Sequence, residues 1–131
     1  MVEFEANIKD LVTRFIFSSN DFNSNRVKYT AYMPPGSHPN ELSVCMITNL
    51  IDREIWGYSP KRTDGRLAKA RADSQVEEIC KISNQQGSFL RVLVDRTPHE
   101  RHANIKFLPL DKSKQRAVAT ELANISSLKT V

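Results

Sequence analysis

The segment Asp95-Arg96-Thr97-Pro98-His99-Glu100-Arg101-His102 gathers two of the chain's three histidines together with two arginines and two carboxylates. Histidine titrates closest to neutral pH, so His99 or His102 suits the role of general base. Arg96 or Arg101 would hold an anionic group beside it, and the combination fits recognition or cleavage of a phosphodiester. A metal reading would take His99, His102 and Asp95 as ligands. Three donors from one turn, without a recognised spacing, do not define a metal site, and none is assigned. Pro98 marks the stretch as a turn, and loops on a rigid sheet are common seats of function. The competing reading is a solvated turn in which His102 packs at a sheet edge.

A second constellation comes from alternation. If Lys69, Arg71, Arg91, His102, Asn104 and Lys106 share one side of a sheet, with Lys28 and Tyr32 beside them, that side interleaves basic groups with an aromatic ring. Single-stranded nucleic acid is held in this way, by phosphate neutralisation along a groove and base stacking on aromatics. A polar face simply open to water has the same pattern. The third constellation is Asp111-Lys112-Ser113-Lys114-Gln115-Arg116 at the start of the last helix. Lys112 and Lys114 oppose the helix dipole there, which is tolerable at an exposed site and useful where an anion docks on the free N–H groups.

Charge distribution agrees with an anionic partner. Residues 1–65 carry seven Lys/Arg against eight Asp/Glu, residues 66–131 twelve against seven, so the net +4 belongs to the C-terminal half. No phosphate-cradling glycine loop, Cys-x-x-Cys pair, His-Glu-x-x-His or nucleophile elbow is present. The common nucleotide and metalloenzyme classes are unsupported, no cofactor is implied, and no motif ties the chain to a characterised family.

These residues need elements to position them. Phe4, Ile8, Leu11 and Phe15 keep helical spacing, which predicts a short helix leading into a strand at about 12–17. Val27, Tyr29, Ala31 and Met33 alternate with polar neighbours, predicting a strand over 26–33, paired as a hairpin with a second strand over 41–48. Asn49 stands where an N-cap should, before a helix at 50–57. Ala68, Ala70 and Ala72 predict a strand over 67–73, and Ser74-Gln75-Val76-Glu77 has the capping-box form, so a helix should run from there to Asn84 or Gly87. Strands follow over 89–95 and 102–108, the latter with Ala103, Ile105 and Phe107 inward, before a last helix capped by Asp111. Trp56 falls beside the apolar stripe of its helix and reads as core.

The chain has 131 residues, 40% hydrophobic and 26% charged, which suits one domain able to bury a core. Adjacent strands without helical crossovers predict an α+β fold, a mainly antiparallel sheet with helices packed on one face as a two-layer sandwich. Cys45 and Cys80 lie far apart inside apolar runs and read as reduced. With acids where a secretory signal carries positive charge, and no apolar run of membrane-spanning length, a cytoplasmic location is expected. The reading that follows is a non-catalytic binding module for RNA, DNA or another polyanion, working through the basic C-terminal half. Two alternatives stand beside it: a protein–protein accessory or regulatory subunit, homodimeric in one form, and a small nuclease using His99 or His102.

Overall fold

The computed structural model describes residues 3–131. Seven strands, β1 (Phe4–Glu5), β2 (Leu11–Ile16), β3 (Glu41–Met46), β4 (Ala70–Gln75), β5 (Arg91–Val94), β6 (His102–Lys106) and β7 (Ser127–Thr130), form one sheet. Its order is β1-β5-β6-β3-β2-β4-β7, with every pair antiparallel. The helices are α1 (Asp52–Gly57), α2 (Val76–Cys80) and α3 (Lys112–Ile125). The fold is α+β, as the absence of crossover helices predicts.

Alternation assigns the two faces. Val12, Ile16, Leu42, Val44, Ala70, Ala72, Val92, Ala103 and Ile105 are buried together on the inner face. Val118, Ala119 and Leu122 of α3 and Val76 and Ile79 of α2 pack into the same core. The alanines of β4 and β6 let these helices approach closely, since a small side chain leaves room for a neighbouring backbone. Asp111 caps α3 as expected, its carboxylate accepting the Lys114 N–H at 3.1 Å. Cys45 and Ile47 point to the outer face, where Ile55 of α1 closes a smaller cluster over them.

Several expected elements differ. Residues 4–11 are not a helix: Phe4 and Glu5 pair with Val94 and Leu93, and the chain then turns. The Asn7 side chain accepts the Lys9 N–H and the Asp10 side chain accepts the Asn7 N–H, local bonds that favour a turn over a helix. The alternation over 26–33 belongs to a short 3₁₀ helix, Tyr29–Tyr32, not to a strand. Val27, Ala31 and Tyr32 are buried by it, and the Tyr32 hydroxyl bonds Ser126 at the end of α3 at 2.7 Å. β3 therefore pairs with β2 and β6 instead of forming the expected hairpin. Ser74 remains in β4 opposite Val12 and caps nothing, so α2 starts later and ends at Cys80. Asn49 adopts a left-handed conformation (φ 65°), and Ile51 opens α1 with its N–H donated to Glu54 at 3.1 Å. Phe107 is 42% exposed, turned out by its own positive φ of 70°. β7, unanticipated, adds to β4 at the sheet edge.

Candidate functional site: two clefts around one loop

The outer face carries a polar row fixed by strand register. His102 lies opposite Cys45, Cys45 opposite Thr13, and Thr13 opposite Asp73. At the end of β5 the N–H groups of Asp95 and Arg96 both reach the His102 carbonyl at 3.3 Å, so two residues face one as in a β-bulge. Arg96 takes a left-handed φ of 57°. The kink sends neighbouring side chains in different directions, which separates the charged segment into two groups.

The first group is built around Asp95. Its carboxylate accepts His102 Nδ1–H at 2.6 Å, the Thr97 N–H at 3.1 Å and the Asn104 amide at 3.0 Å. Burial alone would raise the Asp95 carboxyl, but these bonds outweigh it and hold the group below the usual carboxylate range. The pair is largely enclosed, His102 being 14% and Asp95 19% exposed in their side chains. His99 stands edge-on to His102 with ring centroids 6.0 Å apart, and 5.0 Å from Tyr58. His99 Nδ1 accepts the Arg101 N–H at 3.1 Å, so its proton sits on Nε2. Burial, aided by the neighbouring His102, holds His99 below the usual histidine range.

His99, His102, Tyr58 and Cys45 border an outer-face cleft of about 440 Å³, within the size range of small-molecule sites. Phe15 and Phe17 add aromatic surface, and Arg62 lies over the Phe17 ring at 5.2 Å. Arg14 contributes to the floor while its guanidinium passes to the inner layer, where Nε donates to the Ala31 carbonyl at 2.8 Å. No Asp or Glu lines this cleft. The Cys45 thiol is pushed up to about 11 by burial, with Arg101 pulling the other way, so it stays protonated at neutral pH.

The second group enters a cleft of about 570 Å³ at the other side of the loop. Arg96 lies over the Phe4 ring at 5.1 Å, and Arg101 Nη1 donates to the Thr48 carbonyl at 3.4 Å. Glu5, Asp10 and Glu100 line the same space. Positive charge is therefore offset there by carboxylates.

The remaining basic residues do not converge on either cleft. Arg71, Arg91, Lys106 and the neutral Asn104 stand on the outer face by register, but the three charges are matched. Arg91 pairs with Glu5 at 2.6 Å, and Lys106 with Glu3 at 2.9 Å and Glu41 at 3.3 Å. Hydrogen bonds to Glu3 and Glu41 raise the Lys106 ammonium above its ordinary value. Asn104 is committed to Asp95. Arg71 is not a solvent-facing cation at all: it is 2% exposed, lies under the Trp56 ring at 5.0 Å, and pairs with Asp52 at 2.8 Å and Asp73 at 3.1 Å. Lys69 is exposed beyond the start of β4, and Lys112 and Lys114 are exposed on α3 in the helical layer. Tyr32 is buried on the inner side and Lys28 lies outside any strand, so neither joins the outer face.

Comparison with known proteins adds no assignment. No family model matches this chain, and neither the curated proteins nor the solved structures include a match. Among the described residues, no three His, Cys, Asp or Glu side chains converge to hold a metal ion. Nor, among them, is any helix long and apolar enough to cross a membrane. The cleft residues that the charge pattern overlooks are Phe15, Phe17, Tyr58 and Arg62. Their signal is the run Thr13-Arg14-Phe15-Ile16-Phe17, in which two phenylalanines alternate away from the face occupied by Val12 and Ile16.

Proposed function

We propose that the protein binds a phosphate-bearing aromatic ligand, a single strand of nucleic acid in its simplest form, in the outer-face cleft. The supporting observation is the cleft's chemistry: aromatic surface from Phe15, Phe17, Tyr58 and His99, a cation at Arg62, two imidazoles and no lining carboxylate. Bases stack on such rings at about 1–3 kcal/mol each, and the nearest carboxylates, Asp95 and Glu100, are engaged by His102 and the Tyr58 hydroxyl and do not line the cleft. The contact differs in place from one made by the basic C-terminal half. It needs few cations, because the strands' lysines and arginines are largely paired with acids.

Fluorescence anisotropy with a labelled single-stranded oligonucleotide at low salt tests the reading directly. Binding should weaken roughly tenfold in Tyr58→Ala, about the stacking contribution of one base. Arg62→Glu should weaken it by a similar factor, and Lys112→Glu should leave it unchanged. The salt slope should be shallow, about −0.7 for each phosphate neutralised. Absence of binding by the unaltered protein, or an affinity in Arg62→Glu and Tyr58→Ala equal to that of the unaltered protein, sinks the assignment.

A further inference from the structure

We propose that the same cleft cleaves a bound RNA strand, with His102, aimed by Asp95, as the base that takes the proton from a ribose 2′-hydroxyl. The step rests on the nucleotide-binding reading above. Its added observation is the Asp95–His102 pair, which forms no part of the aromatic surface that supports binding.

The imidazole is fixed at one end only. In the neutral imidazole the Nδ1–H that donates to Asp95 leaves the lone pair on Nε2, and His102 borders the cleft while Asp95 does not. Asp95 cannot easily swing away, since Thr97 and Asn104 hold it from two further directions. A base oriented by a carboxylate that is itself oriented is the arrangement that proton abstraction requires. His99 has the opposite tautomer, so its Nε2–H is a donor. The cleft thus offers an imidazole acceptor and an imidazole donor with rings 6.0 Å apart. The acceptor suits a hydroxyl proton, and the donor suits a non-bridging phosphate oxygen.

The nucleophile must come from the ligand. Cys45 faces His102 across the ladder but remains a thiol, and the Thr13 hydroxyl donates to the Ala72 carbonyl at 3.3 Å. A 2′-hydroxyl is already beside its phosphate, which confers the advantage of an intramolecular reaction. The O2′–H proton passes to His102 Nε2, the O2′–P bond forms and the P–O5′ bond breaks. The departing 5′ oxygen takes a proton from water, and the imidazolium then returns its own proton to solvent. The products are a 2′,3′-cyclic phosphate and a 5′-hydroxyl strand.

The test incubates the 131-residue protein with a labelled oligoribonucleotide and with the all-deoxy strand of the same sequence. Expected are cleavage of the ribo strand alone, a cyclic-phosphate terminus by mass spectrometry, and a loss of about 100-fold or more in the cleavage rate of His102→Gln at saturating RNA. Asp95→Asn keeps the shape of the site and should lose rate while shifting the rising limb of the pH–rate profile. If His102→Gln does not fold by circular dichroism, Asp95→Asn decides alone. Undiminished cleavage in these variants, or equal cleavage of the deoxy strand, overturns the proposal. Binding of RNA without cleavage overturns this inference and leaves the binding reading intact, whereas absence of binding removes both.

Discussion

The two clefts flanking the 95–101 loop draw on the same short segment and have opposite characters. The one holding Arg96 and Arg101 is the larger, yet Glu5, Asp10 and Glu100 share it. The one holding His99 and His102 carries less formal charge and no lining carboxylate. A count of cations favours the first, but a ligand feels the field of every group in the cavity. Hence the smaller cleft is the one proposed to take an anion, and the bulge at Asp95–Arg96 is what divides the segment between them.

The comparison would break most visibly if the histidine cleft lost its outer wall. That wall, Tyr58 to Arg62, follows α1, which the Asp52–Arg71 pair and the Arg71–Trp56 stack tie to β4. Asp52 and Asp73 together outweigh the cost of burying Arg71 and raise its guanidinium further above its ordinary value. Removing one partner of a buried ion pair costs about 3–5 kcal/mol. Because Asp52 itself is exposed, Arg71→Ala should destabilise the fold by about 3 kcal/mol, near the lower end. Urea unfolding measures this. A change below about 1 kcal/mol would show that α1 is not held through Arg71.

A second substitution sharpens the contrast across the bulge itself. Asp95 accepts bonds from three groups, whereas Arg96 stacks on Phe4 and, among the described residues, makes no ion pair. Hydrogen bonds to a charged group are worth about 1.5–3 kcal/mol, so Asp95→Asn should cost about 1.5 kcal/mol. Arg96→Ala, one residue away, should stay within about 0.5 kcal/mol of the parent. Matching losses for the two variants would mean that the loop is held as a unit and that Asp95 is not a specific anchor.

How far these clefts were legible in the residue pattern depends on the range of the interactions that form them. Asp111 and the apolar alternation of Val92, Val94, Ala103 and Ile105 act within a few positions, so α3 and the inner faces of β5 and β6 follow from local rules. Tyr29–Tyr32 misleads because an alternating segment can also satisfy a short 3₁₀ turn, and the deciding contacts, to Ser126 and Arg14, come from distant parts of the chain. β7 has Leu128 as its one apolar residue and exists because β4 offers an unpaired edge. The 95–102 segment announced itself by composition. Its division into a histidine side and an arginine side could not be read, since that follows from a backbone bulge. Likewise the burial of Arg71 required Trp56 to lie above it, a contact that periodicity does not encode.

The smallest expected effect concerns protonation and distinguishes the clefts by pH. His99 is held below its ordinary value of about 6.5, so between that value and its folded pKa the unfolded chain binds more protons than the native one. His99 should therefore contribute a loss of stability as pH falls from about 6.5, with full stability above it. Asp95 is also depressed, and its contribution is lost in a separate, more acidic window, as pH drops below about 3.9 toward its folded value. Urea midpoints at pH 7.5 and pH 5 thus isolate the histidine step from the carboxylate step. His99→Gln should flatten the difference between those two midpoints, and Arg101→Gln, which keeps the backbone N–H that His99 Nδ1 accepts, should not. An unchanged pH difference in His99→Gln would place the titrating group elsewhere. The two clefts would then no longer differ in how acid reaches them, though they would still differ in the carboxylates that line one and not the other.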